Sequence, residues 1–165
     1  MRTRRISTLL AAVSAVVVSV LGAASPASAN VAGTMGITAN CGGWTVVSAQ
    51  YIKAGQTAVG SIQLCKKPHY TGNWEYFART EMYAPLPAGR MASGYVYYHN
   101  AYTGGQEFRS CDMNTGAINA GEKLCYTSNI LDDQYAWDFK AVGHAWVSSG
   151  GKWVLYATGQ TATIY

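Results

Sequence analysis

The sequence predicts an all-β domain, a compact antiparallel sandwich or partly open barrel with a C-terminal hairpin, stapled by disulfides. Three observations carry this reading. Runs rich in Tyr, Trp, Val and Thr recur along the chain, separated by Gly- and Pro-containing breaks. No stretch beyond the leader shows a long helical stripe. Four cysteines, Cys41, Cys65, Cys111 and Cys125, form an even set.

The N-terminal element lies outside this domain. Met1-Arg2-Thr3-Arg4-Arg5 is basic, residues 6–21 are free of charge and mostly apolar, and Ala27-Ser28-Ala29 is a small-residue cleavage pattern. This is the pattern of a secretory signal peptide over residues 1–29. It assigns the remaining chain to an oxidising, extracellular space. Residues 30–40, small and polar, read as a flexible lead-in, and 41–165 as the secreted β domain. No later segment is apolar for long enough to span a bilayer, so no membrane span is expected after signal cleavage.

Export also changes the charge. Of the twelve Lys and Arg, Arg2, Arg4 and Arg5 leave with the leader, whereas all eight Asp and Glu remain. The exported part is close to neutral and lacks the basic footprint of a nucleic-acid binder, so nucleic acid is not an expected partner. Its one adjacent basic pair, Lys66-Lys67, reads as a solvated turn.

In an exported chain the cysteines predict two disulfides, with three connectivities open. The pairing Cys41–Cys65 and Cys111–Cys125 is favoured because each bond closes a local loop, contributing about 3 kcal/mol in the chain-entropy view. There is no C-x-x-C pair and no His at zinc-finger spacing, so neither a metal nor another cofactor is expected.

Strands are predicted over 44–51, 59–64, 73–83, 91–99, 106–111, 123–127, 135–147 and 152–165. The breaks fall at Ala54-Gly55, Lys67-Pro68, residues 85–89, Thr103-Gly104-Gly105 and residues 148–151, and 129–135 reads as a single turn. The last two strands form a hairpin across Ser148-Ser149-Gly150-Gly151. A two-residue loop at Ser149-Gly150, or a four-residue loop over the whole break, sets Trp146 opposite Trp153 and His144 opposite Leu155. Upstream, Tyr135, Trp137 and Phe139 share one parity, and Val142, His144 and Trp146 share the other. A bulge near Gly143 is the expected device that keeps both sets on the core.

Catalytic motifs are absent. The chain has no G-x-S-x-G, no H-E-x-x-H and no Gly-rich phosphate loop. His69, His99 and His144 read as turn and strand side chains. Asp132-Asp133 reads as a turn with local backbone bonds rather than as a calcium site, which needs several converging oxygens. Glu75 and Glu81 form a pair of carboxylates of the kind glycoside hydrolysis uses, but only by number. No catalytic residue is assigned, and a small hydrolase working through one His and one acid is the least favoured function.

Aromatic content is the remaining clue. All five Trp, twelve Tyr and three Phe lie in the exported part. Tyr95, Tyr97, Tyr98 and Tyr102 are too many for one buried face, because a strand divides its side chains between two. Tyr95 and Tyr97 share one side and Tyr98 takes the other. These four tyrosines are the candidate binding surface, since exposed Tyr and Trp stack on sugar rings or anchor protein contacts. The loop 83–90, stiffened by Pro85 and Pro87 and turned by Gly89, is a second candidate contact.

Cys41-Gly42-Gly43-Trp44-Thr45-Val46-Val47 is followed by Val59-Gly60-Ser61-Ile62-Gln63-Leu64, and then by Asn73-Trp74 with Ala78-Arg79. Over residues 40–80 this cadence resembles small secreted domains of Gram-positive, spore-forming filamentous bacteria, including those called spore-associated proteins. The resemblance implies an extracellular or envelope-associated, non-enzymatic β domain and transfers no catalytic residue. The expected function is therefore a secreted, non-catalytic protein, free or on the cell or spore surface. The alternative is a binding module or inhibitor of an extracellular protein or envelope polysaccharide.

Overall fold

In a computed structural model, residues 40–165 are described. The signal-peptide reading of 1–29 and the lead-in up to residue 39 fall outside the described residues. Nine strands make one curled antiparallel sheet: β1 (Thr45–Ala54), β2 (Thr57–Pro68), β3 (Trp74–Met82), β4 (Arg90–Asn100), β5 (Gly105–Ser110), β6 (Leu124–Tyr126), β7 (Ile130–Asp132), β8 (Ala136–Ser149) and β9 (Lys152–Gln160). A 3-10 turn, Cys111–Met113, follows β5. The spatial order is β5-β4-β8-β9-β1-β2-β3-β6, with β7 also on β3. Of the two predicted architectures, the molecule adopts the partly open barrel.

The curl is packed by complementary side-chain sizes. Ile52, Ile62, Leu64 and Met82 point inward from β1–β3 and are fully buried. Each contributes about 1.5–3 kcal/mol of hydrophobic burial. The opposing strands present Ala92, Gly94, Ala141, Gly143, Ala145 and Ala157. A Cβ on Gly143 would stand 2.6 Å from Ile52 Cδ1, and one on Gly94 would overlap Thr80 Oγ1. Small residues on one wall therefore let the other wall approach. Tyr76 and Phe139 stack across the interior at 4.3 Å.

Both favoured disulfides form, Cys41–Cys65 and Cys111–Cys125. The second has a structural role that sequence spacing could not show. In the spatial order, β5 and β6 are the two ends of the sheet. Cys111 directly follows β5 and Cys125 lies in β6, so the bond ties the ends of the curl together. The intervening segment follows the same seam. Ile118 exchanges backbone hydrogen bonds with Ala92 of β4, and the Lys123 carbonyl accepts from the Met82 N–H of β3.

Four local expectations are corrected. In the C-terminal hairpin, Trp146 pairs with Leu155, Ser148 with Trp153, and His144 with Thr158. The turn is centred on Gly150-Gly151, both at positive φ (57° and 76°). The favoured tight hairpin turns need positive φ, which Gly accepts and Ser resists, and this moves the register by two residues. The parity switch in β8 is not at Gly143, which pairs regularly with Gly94. It lies between Tyr97 and His99 of β4, where Asp138 takes φ 61°. After that bulge Ala141, Gly143 and Ala145 face the core, so His144 and Trp146 face outward. Finally, 130–132 is strand β7 rather than a turn, and Lys66 and Lys67 lie on β2. Lys66 sits over the Trp74 ring at 4.3 Å and Lys67 pairs with Glu75 at 2.9 Å.

Candidate interaction face

The outer wall of β5-β4-β8-β9 collects the aromatic side chains that the corrected parity turns outward. Strand β4 supplies Met91, Tyr95, Tyr97 and His99, and β8 supplies Trp137, Lys140, His144 and Trp146. Phe108 of β5 lies opposite Tyr97, and Leu155 of β9 lies opposite Trp146. The rings interlock. Tyr95 touches Tyr97, Phe108 and His144 at centroid distances of 6.2, 5.7 and 5.4 Å. His144 meets Trp146 edge-on at 5.5 Å, and His99 lies 4.6 Å from Trp137. Ser93 and Val142 share this face and are buried beneath the rings. At the hairpin end, Trp153 and Leu155 on this face are each about half exposed, at 52% and 49%.

Charge is sparse here. Lys140, the charged side chain set among the rings, lies over Tyr97 at 5.5 Å. Burial pushes the His144 imidazole below its usual range, which favours the neutral ring. Burial also raises the Tyr95 phenol, helped by Asp112 and Tyr97. The wall is thus an apolar, hydroxyl- and imidazole-studded surface at neutral pH.

The four candidate tyrosines separate. Tyr95 and Tyr97 belong to the face. Tyr98 points inward, 4% exposed, and donates its hydroxyl to Glu107 at 2.8 Å. Tyr102 stands in the β4–β5 turn, 75% exposed, stacked on Tyr135 at 4.4 Å. Phe108, Trp146, Trp153 and Leu155 were not candidates in the sequence. They become visible once Ala141, Gly143 and Ala145 are recognised as the small inward set of β8. In loop 83–90, Leu86 is buried, Tyr83 is exposed, and Arg90 donates to the Tyr156 hydroxyl at 3.4 Å.

The two carboxylates singled out in the sequence are not brought together. Glu75 and Glu81 sit six positions apart on one strand, roughly 20 Å at strand pitch, against the 5–10 Å that paired glycosidase carboxylates need. Each also has its own cation, Lys67 at 2.9 Å and Arg79 at 2.7 Å. His69 does approach a carboxylate, with Nε2 3.7 Å from Glu75 and Nδ1 2.7 Å from the Thr71 hydroxyl. That carboxylate already holds Lys67 and the Asn129 amide, and the three residues fold around a two-stranded turn. The network fastens the turn between β2 and β3. Asp133 accepts the Tyr135 N–H at 2.8 Å, the local bond expected of a turn aspartate. Among the described residues no group of three or more His, Cys, Asp or Glu is placed to hold a metal, and no helix is long and apolar enough to cross a membrane.

Comparison with protein-family models, curated proteins and solved structures finds no match for this chain.

Proposed function

We propose that this is an exported, non-catalytic binding module that docks an extracellular protein on the outer wall of β5-β4-β8-β9. One observation carries the reading: Met91, Tyr95, Tyr97, Phe108, Trp146 and Leu155 form a continuous aromatic and aliphatic patch in which charge is sparse, Lys140 lying over Tyr97 and Asp112 near the Tyr95 hydroxyl. Isolated exposed apolar side chains are ordinary, but a contiguous patch is a mark of an interface. Tyr, Trp, Phe and Met are the residues enriched at interface cores, and acidic residues are the ones depleted. The rings are tilted or edge-on, 35–82° apart, so they offer pockets and ridges to side chains rather than one flat platform for a glycan. Export, and a place on the cell or spore surface, belong to the same reading. The two disulfides support it because such bonds persist in oxidising compartments.

The test is retention of exported proteins on the immobilised domain, with Trp146→Ser and Phe108→Ser as paired variants and near-ultraviolet circular dichroism as the fold check. The reading expects one stoichiometric partner, lost from both variants. Equal retention by the variants, or none by the wild type, contradicts it. Retention on an insoluble polysaccharide that both variants abolish would reassign the face to a glycan. A dimer that both abolish would reassign it to a second copy.

A further inference from the structure

A separate hollow lies on another part of the barrel's outer wall. It has a volume of about 260 Å³ and is lined by Cys41, Trp44, Lys67, Asn114, Tyr126 and Asn129, among others. The Cys41–Cys65 bond builds one side of it by pinning the chain before β1 onto β2. We propose that this hollow binds a single neutral pyranose ring, such as the terminal sugar of a glycan.

Three observations lead there. The first is charge. The cation at the rim, Lys67, is paired with Glu75 at 2.9 Å, so the pair as a unit favours neither an anion nor a cation. The second is hydrogen-bonding capacity held in fixed orientation. Asn114 spends its Nδ2 hydrogens on the carbonyls of Tyr126 and Thr127, at 3.3 and 3.2 Å, which leaves Oδ1 as an acceptor. Asn129 donates Nδ2 to Glu75 at 3.0 Å and likewise keeps Oδ1. The Tyr126 hydroxyl accepts from Arg79 Nε at 3.3 Å and retains its own proton to give. Anchored acceptors beside a donor match hydroxyl groups, which do both. The third is shape. Trp44 is about half exposed and offers an indole face on which the C–H side of a sugar ring can lie. The volume falls just below the range of about 300–1,000 Å³ found for drug-sized ligands, which suits one ring and excludes an oligomer inside the hollow.

The experiment is saturation-transfer NMR on the full disulfide-bonded domain with D-glucose, D-galactose, D-mannose and N-acetyl-D-glucosamine, and with uracil as a non-sugar ring control. Saturable binding of at least one sugar in the millimolar range is expected. Trp44→Ala and, independently, Asn129→Ala on the exposed rim should each weaken it about tenfold or more, while Trp146→Ser leaves it unchanged. No saturable sugar binding overturns the proposal, as does binding that both rim variants retain, or a response to uracil alone. Because Trp146→Ser probes the other face, failure here and failure of the protein-docking reading are read separately.

Discussion

Two residues test the interior and the face most sharply. Gly143 sits where the wall of β8 meets Ile52, and its missing Cβ is what allows the approach. Gly143→Ala is expected to cost about 1–3 kcal/mol by overpacking. Ile52→Val removes Cδ1, the nearest atom, so the double variant should lose less than the sum of the singles; denaturant midpoints of the four proteins measure this. His144 tests the face. Its imidazole is pushed below the usual 6.5 by burial, so the unfolded chain binds this proton more tightly than the folded protein does. Stability from this group is therefore complete above about pH 6.5 and is lost as pH falls from there toward the lowered folded value. Denaturation across that interval should show wild type weakening on acidification, and His144→Gln should flatten that part of the slope. A steeper loss in the variant would contradict the assignment.

At the scale of elements, turns and bulges decided what the sequence could reveal. Every strand except β7 overlaps a predicted run, because alternating Tyr, Val and Thr between Gly breaks is a local signal. Strand β7 is three residues long and exists through its pairing with Trp74–Tyr76, so nothing local announces it. The hairpin register depended on which two residues tolerate positive φ, and Gly150-Gly151 do so more easily than Ser149-Gly150. Gly151→Val is expected to cost at least about 1 kcal/mol, while Gly150→Asn, a residue at home in such turns, should be near neutral. Thermal melts of the two variants distinguish them. The bulge at Asp138 was less legible still, since a non-glycine at φ 61° has no strong signature. Missing it placed His144 and Trp146 in the core and hid most of the interaction face. Asp138→Gly should hold or raise stability by relieving the left-handed backbone, and Asp138→Val should lower it.

The described β domain is a curl whose ends are joined by a crosslink. The ends of the sheet, β5 and β6, are held by Cys111–Cys125, which spans 14 positions of sequence. Replacing both cysteines with Ser should cost about 3 kcal/mol. The loss should concentrate at the seam, with faster amide exchange in β5, β6 and the Ile118–Ala92 bridge than in β1–β2. Composition made the β class readable and the local spacing of the cysteines favoured the pairing that forms, but neither revealed this closure, because only the spatial order shows which strands are the ends. The closed wall is also what holds Tyr95, Tyr97, Phe108, His144 and Trp146 in one fixed array. Preorganised rings lose little side-chain freedom on docking, which favours binding as the role of this surface.

That role is tested most directly by side-chain footprinting of the domain, alone and with its exported-protein fraction, read at every aromatic residue. Protection of Tyr95, Tyr97, Phe108, Trp146 and Trp153, with Tyr70 and Tyr165 labelled equally in both states, is the predicted result. Unchanged labelling across β4 and β8, or protection centred on Tyr70 and the β2–β3 turn, would contradict it.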